Sequence, residues 1–116
     1  MLVVMIGRNK TQDGAERPMS IAEWHRFRRE TVTALEASIG NVSVQSSGAY
    51  QGSADWSSEQ TAVFVVGPRD PFCGSGEVQL AIADVLARHG QRAAGVIAGP
   101  LGIAEAPAPA PAPAVE

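Results

Sequence analysis

The order strand, amphipathic helix, strand occurs twice in these 116 residues, and few folds accommodate that repetition in so short a chain. Leu2-Val3-Val4-Met5-Ile6 leads to a helix opening at Ser20, which leads to Val42-Ser43-Val44-Gln45. Ala62-Val63-Phe64-Val65-Val66 leads to a helix near Gly76, which leads to Ala93-Ala94-Gly95-Val96-Ile97. Strands alternating with helices of this length signal βαβ units. Two such units predict an α+β chain with the split βαβ, or ferredoxin-like, arrangement. That is a βαββαβ sandwich with a four-stranded antiparallel sheet and two helices on one face.

Hydrophobic patterning gives each strand a place. Leu2–Ile6 and Ala62–Val66 are apolar at every position, as strands covered on both faces are. They fall on the first and third strands, the central ones in the ferredoxin-like order. Val42 to Ser46 alternates strictly, which suits an edge. Ser20-Ile21-Ala22-Glu23 reads as a capping box, with hydroxyl and carboxylate both satisfying free amides at a helix start. Trp24, Phe27, Thr31, Ala34 and Leu35 form the inward stripe of the first helix; Val78, Ile82, Val85, Leu86 and His89 form that of the second. Gly90 sits where a left-handed cap belongs. Gly7 to Pro18 is polar and rich in turn formers, and reads as a loop. Ala106 to Ala114 alternates Ala with Pro, which favours polyproline II and builds no core. The expected division is one domain over 1–103 and a disordered Ala-Pro-rich tail over 104–116.

Aromatics are 5% of the chain, so Ala, Val, Ile and Leu must build most of the core. The net charge of -3 argues against a general nucleic-acid binder. An RNA-recognition domain shares this architecture but displays aromatics on both central strands, and here only Phe64 qualifies. One cysteine, Cys73, excludes an intramolecular disulfide and a cysteine-rich metal site. The first apolar run is too short for an export signal, and no run is long enough to span a membrane. A soluble cytoplasmic protein is expected.

Cys73 is the foremost nucleophile candidate, because it precedes Gly74-Ser75-Gly76 at a helix start. There the helix dipole lowers a thiol pKa, and free amides hold an anion. Against this, no phosphate-loop spacing and no following lysine are present. His25 and His89 lie at helix ends that antiparallel packing brings together, but no third ligand or metal-binding spacing accompanies them. No metal and no cofactor are expected. Arg26, Arg28 and Arg29 form a basic cluster beside Trp24 and Phe27, with Arg26 and Arg29 as candidate partner contacts. The plainer account is a solvated helix face, with Glu23 and Glu30 as neighbours for Arg26.

Ser46 to Gln60 reads as a hairpin connection far longer than most. It carries Tyr50 and Trp56 in Gly- and Ser-rich surroundings. Tyr50 shares parity with Val42 and Val44 and would extend their inward face. Trp56 would be an exposed anchor, since long loops bearing aromatics favour binding. Alternatively, both rings fold back over the sheet.

Two helices cover only one face of such a sheet, yet the central strands are apolar at both parities. A bare apolar patch rarely stays in water. A second copy packed sheet to sheet, the long loop, the segment before the tail, or a ligand would cover it; a homodimer is the simplest.

Arg8, Ser20-x-x-Glu23-Trp24-x-x-Phe27, Asn41-Val42-Ser43-Val44, Gly48-Ala49-Tyr50 and Glu59-Gln60-Thr61 resemble a family of short bacterial and phage proteins classed as a domain of unknown function. The resemblance covers roughly residues 2 to 66 by element spacing. Tyr50 stands where that family has tryptophan. The resemblance implies a ferredoxin-like domain, in the host cytoplasm if phage-encoded, and supplies no activity. With no catalytic constellation in view, the leading expectation is a non-enzymatic protein-interaction module. It would act on a host or phage partner through the free sheet face and the 46–60 loop. The alternative is a dimeric αβ-barrel enzyme or ligand binder with a pocket near Arg8, Tyr50, Glu59 and Cys73.

Overall fold

The computed structural model describes residues 1–51 and 58–99, with the backbone alone at 47–51, 58 and 59. Trp56 and the segment 104–116 lie outside the described residues. The elements are β1 (Leu2–Gly7), β2 (Asn9–Gln12), β3 (Ala15–Pro18), α1 (Ile21–Ser38), β4 (Gly40–Gln51), β5 (Ser58–Pro68), α2 (Ser75–Arg88) and β6 (Gly95–Ala98). Four strands form an antiparallel sheet in the order β4-β5-β1-β6, and β2 pairs with β3 in a small second sheet.

The two wholly apolar runs are the central strands. Leu2, Val4 and Ile6 of β1 and Ala62, Phe64 and Val66 of β5 are buried together with Trp24, Phe27 and Leu35 of α1 and Val78, Ile82, Val85 and Leu86 of α2. One core thus lies between one sheet face and both helices. Thr31 is buried within it, and its hydroxyl donates to the Phe27 carbonyl at 2.8 Å, so its polarity is satisfied inside the helix.

Three local expectations need correction. Gly7–Pro18 is not a loop, because it contains the β2–β3 hairpin, which turns at Asp13-Gly14 with φ of 53° and 78°. Two successive positive φ values are what a two-residue hairpin turn requires, and Asp-Gly supplies them. The 46–60 connection is also mostly strand: β4 and β5 stay paired to Gln51↔Ser58. That extension lacks an apolar pattern, so backbone pairing rather than hydrophobicity marks it.

The third correction concerns parity. A bulge at Ser43 sets Val42 opposite Val66 but Val44 opposite Val65. Val42 therefore packs against the core while Val44 is 50% exposed. An extra residue in one strand reverses the faces beyond it. The parity argument that joined Tyr50 to Val42 fails at this point.

Candidate functional site

The sheet face away from the helices is one candidate surface. Register places Ile97, Val3, Val65 and Val44 in one row across all four strands. The next row is Gly95, Met5, Val63 and Ser46. Neither row contains a charged side chain. Ile97 is 59% exposed at one edge and Val44 50% at the other, with half-buried Val3, Met5, Val63 and Val65 between them. The row is apolar across its width because both central strands are apolar at both parities and the Ser43 bulge turns Val44 outward.

Arg8 is committed to structure. Its Nε donates to the Met19 carbonyl at 2.7 Å and its Nη1 to Gln60 Oε1 at 2.8 Å, while its backbone bonds the same two residues. It ties the end of β1 to β5 and to the entry of α1. Tyr50 and Glu59 face each other in the β4–β5 register, and their side chains lie outside the described residues.

Cys73 sits at the other end of the sheet, beside Met1, Pro68 and Gly99 in a surface groove. The two ends of β1, Leu2 and Gly7, lie five residue steps apart, roughly 17 Å. The structure therefore does not bring Cys73 together with Arg8. The expected thiol activation is reversed as well: burial, then the carboxylates of Glu77 and Asp70, push the Cys73 thiol above its ordinary value. Glu77 also accepts a hydrogen bond from the Gly74 amide at 2.9 Å, so the chain's own carboxylate occupies the helix start considered for an anion.

Arg26 and Arg29 line a groove of about 440 Å³ between α1 and α2. The glutamates expected to neutralise Arg26 face elsewhere. Glu23 accepts from Lys10 Nζ at 2.7 Å and contacts His89 Nδ1 at 3.2 Å; Glu30 contacts His89 Nε2 at 2.6 Å and Arg88 at 3.1 Å. Glu23 is thus no reciprocal capping-box partner, although Ser20 Oγ does accept from the Glu23 amide at 3.2 Å. A buried histidine and a lysine from β2 claim its carboxylate instead.

This His89 cluster is the site that sequence reasoning missed. Helical spacing places His89 on the inward stripe of α2, and the fold buries it to 4% exposure with its ring edge-on to Phe27 at 5.0 Å between centroids. A doubly protonated imidazole donates to both carboxylates, a neutral one to a single carboxylate. The hydrogen bond from Lys10, then that from His89, holds the Glu23 carboxyl below the usual range. Glu30 is lowered chiefly by its bond to His89, helped by the charge of Arg88. The two glutamates occupy opposite nitrogens of one ring and cannot converge on a shared ion. Among the described residues, no group of three or more His, Cys, Asp and Glu is placed to hold a metal.

The cluster joins three elements. Lys10 anchors β2, the Thr11 amide donates to the Gly90 carbonyl at 3.0 Å, and Gln91 Nε2 donates to the Asn9 carbonyl at 2.8 Å. Gly90 has a φ of +67°, and an added Cβ would meet the Thr11 carbonyl oxygen at 2.8 Å, so glycine serves both the turn and the hairpin contact. His25 is exposed and lines a separate surface pocket with Arg28, Arg29 and Gln45. The helix ends do meet, but it is Glu23 and Glu30 that reach His89. Among the described residues, no helix is long and apolar enough to cross a membrane. Comparison with protein-family models, curated proteins and solved structures finds no match to this chain.

Proposed function

We propose that this chain is a non-enzymatic protein-interaction module that pairs with a second copy through its open sheet face. The observation that carries the reading is the row Ile97–Val3–Val65–Val44, apolar from edge to edge. Exposed apolar surface of this continuity marks association sites. A second copy is favoured as occupant because these two rows, free of charge, meet themselves across a two-fold axis without like-charge repulsion. The order β4-β5-β1-β6, with both helices over one face, supports a ferredoxin-like assignment, which by itself implies no activity.

Tyr50 and Trp56 complete the proposal as contacts to a further protein partner, on the ground that aromatics near a hairpin tip suit binding. The separation of Arg8 and Cys73, and the structural bonds of Arg8, weigh against a ligand pocket built on those residues.

Light scattering coupled to size exclusion tests the pairing. The expected mass is twice the chain's 12.1 kDa. Val65→Glu sets a charge in the middle of the row and is expected to give a folded monomer. A wild-type monomer at micromolar concentration would overturn the pairing through the sheet face.

A further inference from the structure

We propose that the groove between α1 and α2 docks an amphipathic helix of a protein partner. That helix carries acidic side chains near one end and apolar ones about two turns further along. The inference rests on the interaction-module reading and not on the dimer. A chain that stays monomeric yet binds through this groove would separate the two.

Three observations define the partner. Arg26 and Arg29 stand on the groove wall, and their guanidiniums make no hydrogen bond or ion pair with any described residue. The groove's own carboxylates do not neutralise them, since Arg88 bonds Asp84 at 2.9 Å and Glu30 at 3.1 Å and His89 takes Glu30 from the other side. The groove therefore offers two uncommitted guanidiniums in a protein whose net charge is -3. Guanidiniums without partners fit carboxylates through paired N–H donors.

Leu80 is the second observation. It is 82% exposed and lies one turn before Asp84, which lines the groove. Eight residues separate it from Arg88, roughly 12 Å along the helix. Arg88 bonds Glu30, which directly follows Arg29 on α1, so the free guanidiniums lie about two turns or more from Leu80. The third observation is the small side chains of Ala34, Ala37 and Ala81, which let a partner backbone approach closely. An acidic protein helix is favoured over nucleic acid because two carboxylates match two free guanidiniums, whereas the unbroken charge of a phosphate backbone would also meet Glu30, Asp84 and a chain of net charge -3.

The probe is a fluorescein-labelled synthetic helix of about 18 residues, with two glutamates in its first two turns and leucines two turns on. Fluorescence anisotropy with the full chain is expected to show saturable binding. The double variant Arg26→Glu/Arg29→Glu should weaken it about tenfold, and Leu80→Ser several-fold. Arg17→Glu/Arg92→Glu, at two exposed positions outside the groove, makes the same change in net charge and should do little. Circular dichroism checks that each variant is folded. The proposal is overturned if the peptide does not bind, if its glutamine counterpart binds equally well, if the double variant binds like wild type, or if a labelled single-stranded oligonucleotide binds more tightly.

Discussion

His89 Nε2 lies 2.6 Å from Glu30 Oε2, joining the C-terminal end of α2 to the middle of α1 beneath the β2–β3 hairpin. With Glu23 on the opposite ring nitrogen, the histidine bridges two carboxylates while buried against Phe27. His89→Ala removes this ring and leaves two partly buried carboxylates without it. The expected loss is about 2–4 kcal/mol of unfolding free energy, read from the urea midpoint at constant slope. His89→Gln keeps one donor and should fall between. A loss below about 0.5 kcal/mol would reduce the cluster to ordinary surface ion pairs.

The same cluster predicts a direction for acid sensitivity. The Glu23 and Glu30 carboxyls are both held below the ordinary glutamate range, Glu23 chiefly by Lys10 and Glu30 chiefly by His89. A depressed folded pKa contributes stability that is fully present above the unfolded value, about 4.3. That contribution is lost as pH falls through the lower folded values. Urea midpoints should therefore drop below about pH 4, and Glu23→Gln should make the drop shallower. An equally steep drop in that variant would place the acid sensitivity elsewhere.

The core was legible because its residues obey one period at a time. Trp24, Phe27, Thr31 and Leu35, and Val78, Ile82, Val85 and Leu86, recur at helical spacing and are buried. What the pattern could not show arises where tertiary pairing competes with local chemistry. Glu23 has the spacing of a capping box, but Lys10 and His89 outbid the backbone amide for its carboxylate. The hairpin β2–β3 is polar on both faces, so only Asp13-Gly14 announces it. The Ser43 bulge is invisible to alternation, because an inserted residue changes which face a valine takes without changing the sequence pattern. The open sheet face was legible from the same apolar runs; the claims on Glu23 and Glu30 that leave Arg26 and Arg29 free were not.

Cys73 should be a sluggish thiol. Burial raises its pKa first, and the nearby Glu77 and Asp70 carboxylates raise it further. Since the thiolate is the reactive form, alkylation by iodoacetamide at pH 7.5 is expected to run several-fold slower than for free cysteine. Glu77→Gln removes one opposing charge and should speed the reaction. A wild-type rate at or above that of free cysteine would contradict this account and restore Cys73 as a nucleophile candidate.

Among the described glycines compared, Gly40 is the one where an added side chain meets the closest backbone. It starts β4 directly against the end of β5, and a Cβ built there would lie 1.9 Å from the Gly67 carbonyl oxygen and 2.9 Å from the Pro68 Cα. Both obstacles are backbone, so no rotamer change relieves them. The strands would have to separate where Gly40 pairs with Pro68 and Asn41 with Gly67. Ile39, buried beside this junction, accepts at its carbonyl from the Arg69 amide at 2.9 Å, so the displacement would also strain the exit of α1. Gly40→Ala is expected to destabilise the protein by about 2–4 kcal/mol, lowering the urea midpoint. Gly76→Ala, with nothing within 4 Å of the added carbon and a place in the first turn of α2, should be neutral or slightly stabilising. Equal effects from the two substitutions would mean that β4 and β5 do not approach each other as closely as this geometry requires.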